Sequence, residues 1–319
     1  MRITNKMMSD SFMSDMNNNL QNLDKIRKQL SSGKNFSKPS DDPTSVIRTM
    51  QLYTSIGANK QYNKNITNVI NWLDVTDTSL GQIGDQLGKI RDKLNEAGDP
   101  GFGPSERKAL KDAVNGVIAS ISQNLNVSFD GKYVFSGTRA TGKPTTVNKD
   151  ANGNNSIQYI NRDGSKPMDL TGDEYKQMNG KLKIEISEGV VMEYNVTATE
   201  VLEGGGDLKK LLEDIVAHLD SSDPKDTNKL YGEDLGKMDK VIDNLLKIRA
   251  EVGANQNRMD SAKNVNTETN FNLTEILSNT EDIDIVEKNM EYAVLQSVYI
   301  SSLQTSAKVL QPTLMDYLR

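Results

Sequence analysis

The feature that most constrains this chain is a long apolar seam in its first third. Apolar residues recur there at alternating steps of three and four, which is the 3.5-residue repeat of a left-handed coiled coil. At 1.5 Å per residue, the seam spans roughly 45–50 Å of helix. Its members are Ile66, Val69, Leu73, Thr76, Leu80, Ile83, Leu87, Ile90, Leu94 and Ala97. A helix of this kind buries its seam against other helices, so the pattern predicts a helical bundle.

The beginning of the chain carries a second helical stripe, which Arg27 interrupts. The stripe consists of Met13, Met16, Leu20, Leu23 and Leu30. The residues Ser31-Ser32-Gly33 predict the end of this helix. After the following loop, Asp42 is a natural N-cap and Pro43 a natural first residue of the long second helix. We therefore expect two helices joined by a structured loop.

The other end of the chain is also helical. A seam from Met238 to Ala262 contains one polar position, Asn255, which can fix the register of a coiled coil. Asp282 or Asp284 is expected to cap the last helix. That helix carries Ile283, Val286, Met290, Ala293, Ile300, Leu303, Ala307, Leu310 and Leu314. We expect the first and last helices to pair.

The middle of the chain has a different character. A turn at Asp99 to Pro104 leads into a third helix over residues 105–125, and Gly204-Gly205-Gly206 precedes a short helix over residues 208–219. Short strands separated by turn clusters are predicted between them. These strands are Tyr133–Phe135, Ile157–Ile160, Leu182–Ile186 and Val190–Val196.

The predicted fold class is mainly α with a β-rich insertion: a rod of antiparallel N- and C-terminal coiled-coil helices that carries a small central β domain. Residues 1–42 and 281–319 form the terminal helices of an inner assembly layer. Residues 43–130 and 234–280 form a helical rod domain. Residues 131–233 form an outer β-rich domain with one short helix.

Composition argues against most catalytic chemistry. The chain of 319 residues has no cysteine, and its one histidine, His218, is expected to be an ordinary surface or boundary residue. The usual histidine-centred catalytic and zinc sites need more imidazoles than this. An enzyme would depend on carboxylates such as Asp163, Asp169 or Asp173, which no motif organises. We therefore expect no catalytic, cofactor-binding or metal site, and the acidic string at 281–287 is interpreted as helix capping.

Charge and methionine are distributed unevenly. The first 38 residues carry seven basic and three acidic side chains, whereas residues 275–291 carry six acidic side chains and one lysine. The two ends are thus complementary, which can set their register, although solvated faces explain the same pattern. Methionines concentrate near the ends, where flexible thioethers suit surfaces with several neighbours; core filling is the alternative. The net charge of −6 argues against nucleic acid as a partner.

Three segments resemble a known family. The segment Leu30 to Pro43, with Pro39-Ser40-Asp41-Asp42-Pro43 at its end, resembles the "LSSGKRI…PSDDP" segment near the start of bacterial flagellin-like proteins. Gly131 to Thr138 is similar to the "GRYLFAGT" segment of the hook-associated branch of that family. The ending Leu314-Met315-Asp316-Tyr317-Leu318 resembles the "SLLDYL" terminus of the same branch.

The resemblance implies a structural component of the bacterial flagellum that joins hook to filament, with a filament subunit as the alternative. It implies export through the type III apparatus without a cleaved signal peptide, and an extracellular location. The implied partners are further copies of the chain, a neighbouring hook-associated protein, flagellin and a cytoplasmic export chaperone, with no nucleic acid and no membrane. A coiled-coil adhesin would not explain the Ser-Asp-Asp-Pro loop together with the terminal Asp-Tyr-Leu.

Assembly is expected to proceed through the terminal helices, because a lone amphipathic helix buries too little apolar surface to offset its ordering entropy. The predicted assembly interface is Met13, Met16, Leu20, Leu23, Leu30, Met290, Ile300, Leu303, Ala307, Leu310 and Leu314. The predicted loop motif beside it is Ser40, Asp41, Asp42 and Pro43.

Overall fold

The structure, a computed structural model, describes residues 5–96, 103–151, 153–164, 166–221 and 228–309. Within these ranges the chain is mainly α-helical and carries a β-rich insertion, as predicted. The predicted turn at 99–104 lies largely outside the described residues, and so does Ala97 at the end of the first seam.

Long helices flank the insertion, and shorter ones lie within it. They are α1 (Asn5–Ser32), α2 (Pro43–Glu96), α3 (Pro104–Leu125), α4 (Asp173–Met178), α5 (Ala198–Glu203), α6 (Leu208–Asp220), a π-helical turn (Leu230–Asp234), α7 (Leu235–Glu281) and α8 (Ile285–Val309). The starts of α2, α3, α6 and α7 agree with the sequence predictions to within one residue. Pro43 and Pro104 each open a helix, because their missing N–H is not needed there.

The insertion contains three two-stranded antiparallel sheets. They pair β1 (Ser128–Phe129) with β2 (Lys132–Tyr133), β3 (Thr145–Lys149) with β4 (Asn155–Tyr159), and β5 (Lys183–Ser187) with β6 (Val190–Glu193). Strand β6 ends three residues earlier than predicted. Strands β1 and β3 and helices α4 and α5 were not predicted, because each is too short or too polar to show a period.

The glycine-rich segment that resembles the hook-associated branch is fixed by packing. Val134 and Phe135 are fully buried. Gly137 follows at φ +59°, and a Cβ added there would lie 2.2 Å from the backbone oxygen of Met178. The backbone N–H of Thr138 donates to the carbonyl of Gln177 at 2.9 Å. The chain needs glycine at this point because α4 approaches its backbone directly.

The chain divides into two compact units. Unit 1 comprises Met1–Lys60 and Glu268–Arg319, and unit 2 comprises Gln61–Thr267. The main hydrophobic core lies wholly in unit 2, between Ile66 and Met259. It includes the predicted seam of α2 from Ile66 to Leu94. It also includes the predicted seam of α7, whose buried members are Met238, Val241, Leu245, Ile248, Val252 and Met259.

Polar contacts along this core show that α2 and α7 run antiparallel in unit 2: Arg91 late in α2 binds Asp239 early in α7, and Asp74 earlier in α2 accepts from Gln256 later in α7. Arg249 binds the Asp77 carboxylate through two N–H groups, at 2.9 and 3.1 Å. Asn255, the predicted polar seam position, is half-buried. The glycine stripe beside the seam is not required for close approach: a Cβ at Gly84 would meet Leu245 at 3.4 Å, and one at Gly88 would meet nothing within 4 Å. Packing therefore tolerates these glycines.

The single histidine lies at the edge of the core and has one defined partner. His218 Nδ1 lies 2.6 Å from a carboxylate oxygen of Asp234, which is fully buried at the end of the π-helical turn. Burial raises the pKa of Asp234 above its ordinary value. His218 is half-buried, so it is a boundary residue, and its contact with Asp234 stabilises the entry into α7.

Candidate functional site

The candidate site is the terminal helix pair, which we define as α1 and α8, together with the loops that connect them to α2 and α7. All of it belongs to unit 1. Among the described residues of this unit, only Ile26 and Ile56 are buried hydrophobic side chains. The buried apolar side chains described here therefore contribute little to offset the entropy of ordering these helices. The apolar residues of this unit lie largely on the surface instead.

The packed face of α1 follows a heptad pattern. Its half-buried or buried members are Phe12, Met16, Asn19, Leu23, Ile26 and Leu30, at alternating steps of four and three. The predicted interruption at Arg27 is wrong, because the pattern passes through Ile26 and leaves Arg27 in an exposed ion pair with Asp24. Two predicted residues, Met13 and Leu20, lie along the exposed edge of this face.

Helix α8 carries apolar side chains around its whole circumference, with polar side chains among them. One side packs against α1 and holds the half-buried residues Lys288, Tyr292, Leu295 and Tyr299. The remaining surface is exposed and carries Ile285, Val286, Met290, Val294, Val298, Ile300 and Leu303. A helix that presents apolar side chains on more than one side is suited to contact neighbours on more than one side. In the free chain, however, α1 covers only one side of α8.

Of the predicted interface residues in this region, Met290, Ile300 and Leu303 are therefore exposed on α8. Ala307 lies in the last turns of the helix, but its side chain is outside the described residues. Leu310 and Leu314 also lie outside the described residues. The role of the whole set stays a prediction.

A groove of about 620 Å³ runs between the two helices. Its apolar lining is Ile26 from α1 and Met290, Val294 and Leu295 from α8. Its polar lining is Asn22, Lys25, Gln29, Glu287, Lys288 and Glu291. Within the groove the ammonium group of Lys288 binds Glu291 at 2.7 Å. An apolar floor with charged edges of both signs is suited to another amphipathic helix.

The two connecting loops are bound to each other beside the terminal helix pair. The backbone N–H of Asn35 donates to the carbonyl of Glu281 at 2.7 Å, and that of Ile283 donates to the carbonyl of Gly33 at 3.1 Å. The side-chain amide of Asn35 adds a bond of 2.8 Å to the carbonyl of Asp282. These contacts form one antiparallel bridge between segments about 250 residues apart, which fixes the register of α1 against α8.

Glu281 is the buried centre of this bridge. Its carboxylate accepts hydrogen bonds from the ammonium of Lys34 and, at 2.7 Å, from the hydroxyl of Tyr53 on α2. Bonding to Glu281 raises the pKa of both Lys34 and Tyr53. The predicted charge complementarity between the two ends is thus realised in one ion pair. Sequence patterns did not identify Tyr53 or Glu281, since the pairing is non-local.

The predicted loop motif consists of two carboxylates with separate roles. Asp42 accepts hydrogen bonds from the backbone N–H groups of Thr44 and Ser45, both at 3.1 Å, and so caps α2 as expected. Asp41 accepts from the N–H groups of Ser37 and Lys38 at 3.2 and 3.0 Å and closes the loop. These bonds lower the pKa of both carboxyls.

The other residues of the motif are Ser40, which is exposed, and Pro43, which opens α2. At the other loop Asp284 caps α8: its carboxylate accepts from the backbone N–H groups of Val286 at 2.8 Å and Glu287 at 3.2 Å. Of the two predicted caps for the last helix, the structure therefore selects Asp284. Asp282 instead accepts a hydrogen bond from the hydroxyl of Ser278 at 2.6 Å.

Two of the three carboxylates considered for catalysis have structural partners. Asp169 accepts hydrogen bonds from the backbone N–H and the hydroxyl of Thr171, and Asp173 forms an exposed pair with Lys176 at 3.2 Å. In the part of the chain that the structure describes, no cluster of three or more His, Asp or Glu side chains is placed to hold a metal ion. None of the helices described here is long and apolar enough to cross a membrane.

Comparisons with known proteins agree with this architecture. The family description "Bacterial flagellin N-terminal helical region" matches residues 3–140, and "Bacterial flagellin C-terminal helical region" matches residues 235–318. Together they cover more than half of the chain. The chain belongs to the bacterial flagellin family.

Within that family the comparisons support the hook-associated protein 3 branch. It is 24% identical over 313 residues to the flagellar hook-associated protein 3 of Escherichia coli, covering 94% of this chain and 95% of the relative. It is 20% identical to the flagellin of Bacillus subtilis, covering 92% and 90%. The flagellar junction protein of Legionella pneumophila has the same fold at a TM-score of 0.55 and 11% identity, covering 75% and 100%.

Proposed function

We propose that this chain is a structural subunit of the bacterial flagellum that joins the hook to the filament and polymerises through its terminal helices. The observation that carries the proposal is α8, a helix that has large apolar side chains on every side and is covered on only one. Exposed apolar surface of this extent marks a protein–protein interface. Additional copies of α1 and α8 supply the matching surface.

The contrast between the two units supports coupled folding and assembly. Unit 2 holds the main core, whereas the described part of unit 1 buries only two hydrophobic side chains. Burial of the exposed residues of α8 between subunits supplies the apolar surface that unit 1 lacks, at about 25 cal/mol per Å². We infer that the terminal helix pair becomes stable on incorporation, while the bridge at Glu281 sets its register.

We further propose a role for each part of the sequence. Residues 1–42 and 281–319 form the inner assembly layer, residues 43–130 and 234–280 form a helical layer around it, and residues 131–233 form the outer domain. The exposed apolar side chains of α1 and α8 support the first assignment, and the buried seams of α2 and α7 support the second.

The proposed partners follow from membership of the flagellin family. They are further copies of this chain, a neighbouring hook-associated protein, flagellin and a cytoplasmic export chaperone. The proposed route is type III export without a cleaved signal peptide to an extracellular flagellum. We propose no enzymatic activity, since the terminal helices Asn5–Ser32 and Ile285–Val309 are proposed to act in assembly.

The alternative is a filament subunit; the similarity to a flagellin is its support, and it is less supported than the junction role. Gold-labelled antibody against the β3–β6 region, applied to intact flagella, separates the two by electron microscopy. A single band where the hook meets the filament supports the junction role. Label along the whole filament would make the chain a flagellin, and absence of label from the flagellum would refute both. Flagella from cells that lack the chain provide the control.

A further inference from the structure

The methionines of this chain are sorted by unit. The sequence has 13 methionines and no cysteine, so thioethers are its only sulfur groups. In unit 2 the described methionines are all buried, with 7% or less of each exposed: Met168, Met178, Met192, Met238 and Met259. In unit 1 five of the six whose side chains are described are 47–65% exposed: Met7, Met8, Met13, Met50 and Met290. The sixth, Met16, is half-buried.

We propose that these five exposed methionines of unit 1 are an oxidation site, and that peroxide converts them to sulfoxides in the free subunit and thereby blocks its assembly. Their accessibility in the free chain is the geometric basis of the proposal. Its consequence for assembly rests on the function proposed above. Met290 is the most important of the five because it lines the groove between α1 and α8.

The chemistry is an oxygen-atom transfer. A peroxide passes one oxygen to the thioether sulfur, an S–O bond forms and the O–O bond breaks. The sulfur is oxidised to the sulfoxide, and hydrogen peroxide is reduced to water, or an alkyl hydroperoxide to its alcohol. The product is polar and accepts hydrogen bonds, so it is poorly suited to an apolar interface. Methionine sulfoxide reductases reverse the step.

The sorting of the methionines predicts both selectivity and protection. Peroxide reaches the thioethers of unit 1 in the free subunit, whereas the packed side chains of unit 2 exclude it. Once the terminal helices are buried between subunits, the four of these thioethers that lie on α1 and α8 are shielded. Damage therefore falls on subunits that have not yet been incorporated, and an oxidised subunit is excluded from the structure rather than weakening it from within.

The first measurement maps oxidation in the free full-length chain. The purified protein is treated with hydrogen peroxide, and each methionine is quantified by peptide mass spectrometry over time. We expect the five exposed methionines to oxidise at least about tenfold faster than the five buried ones. Equal rates in the two units, or slow oxidation of Met290, would overturn the oxidation site whatever the protein does in the flagellum.

The second measurement tests assembly. Treated chain is added to flagella from cells that lack it, and bound chain is quantified. Oxidation of one methionine that is exposed in the free chain removes the stabilisation gained when it is buried in the assembly, and this should weaken incorporation about tenfold. A variant with all five replaced, M7L/M8L/M13L/M50L/M290L, should incorporate equally well before and after peroxide treatment. The control Met238→Leu changes a methionine of the core, and its incorporation should be as sensitive to peroxide as that of the wild type. A methionine sulfoxide reductase should restore incorporation.

These outcomes separate the two proposals. If untreated and oxidised chain incorporate equally well, the proposal that oxidation blocks assembly is wrong, and the proposed function stands. If untreated chain itself fails to bind hook ends, the proposed function is wrong, and the oxidation map of the free chain still supports or refutes the site by itself.

Discussion

Replacing Val294 by aspartate should block incorporation while the rest of the chain stays folded. Val294 is 61% exposed on α8 and lines the groove beside α1. Full burial of a valine contributes about 1.5–3 kcal/mol, so covering the exposed part contributes about 1–2 kcal/mol to assembly. Burial of an unpaired carboxylate adds a cost of several kcal/mol. The sum is at least about 4 kcal/mol, or roughly a thousandfold loss of affinity.

A graded series makes this prediction quantitative. Val294→Ala removes two methyl groups from a side chain that is about 60% exposed in the free chain. The lost burial should weaken assembly by about 1 kcal/mol, or roughly fivefold in affinity. The matched control is Leu246→Asp, because Leu246 is 55% exposed on α7 but belongs to unit 2. Both aspartate variants place a charge at an exposed aliphatic position, and only one lies in the terminal helix pair.

The assay compares chain recovered in purified flagella with chain left in the culture medium, in cells that carry each variant. We expect the Val294→Asp chain in the medium, the Leu246→Asp chain in flagella and Val294→Ala between them. Thermal melting of the purified chains should be unchanged, since Val294 is outside the main core. Normal incorporation of Val294→Asp would refute the inference that the exposed side of α8 is buried between subunits.

Two further perturbations test local elements. Gly137→Ala should destabilise unit 2 by roughly 2–5 kcal/mol in urea unfolding, because the backbone there is left-handed and a Cβ would lie 2.2 Å from the backbone oxygen of Met178. Gly131 has a similar φ but open space around it, so Gly131→Ala should cost only about 1–2 kcal/mol. Equal costs would contradict the close approach. Hydrogen bonds to Ser45 and Thr44 lower the pKa of Asp42 in the folded chain. The contribution of this cap to the stability of α2 is therefore fully present above the unfolded pKa of about 4, and it is lost as the pH falls through the folded pKa. The protection factors of the amides in the first turn of α2, which correct for the intrinsic pH dependence of exchange, should therefore fall below about pH 4 in the wild type and stay constant in Asp42→Asn. Loss of protection at the same pH in both would refute this.

Local patterns predicted the long helices of this fold well because their information lies within a few turns of sequence. The seam of α2 is buried from Ile66 to Leu94, and that of α7 from Met238 to Met259, as spacing alone indicated. Pro43 and Asp42 predicted the start of α2 for the same reason. The short strand β3 and the helices α4 and α5 were not predicted, because segments of five or six residues are too short to show a distinctive period.

Non-local contacts explain what the sequence could not provide about the candidate site. Glu281 was interpreted only as part of an acidic capping segment, yet it is buried against Lys34 and Tyr53. No periodicity links positions so far apart. The register of α1 was also misjudged: a stripe that begins at Met13 meets Arg27, while one that begins at Phe12 continues through Ile26. Both stripes are apolar, and only the partner helix decides between them.

The placement of the core in unit 2 predicts that the chain can lose both terminal helices and still fold. A fragment of residues 43–281 keeps every member of the main core and omits α1 and α8. Ile26 is the only buried hydrophobic residue described in the omitted segments. We therefore expect the melting temperature of the fragment to lie within about 4 °C of that of the full chain. A shift of this size corresponds to roughly 1–2 kcal/mol in a domain of this length.

The same fragment should fail to enter flagella, because the apolar circumference of α8 is gone. A matched control shortens the core instead: residues 1–240 keep α1 and lose most of α7, and this chain should not melt cooperatively. If the melting temperature of the 43–281 fragment is far below that of the full chain, the terminal helices stabilise the core directly. They would then be ordered before assembly. If it melts normally and still incorporates, assembly depends on a surface other than the terminal helix pair.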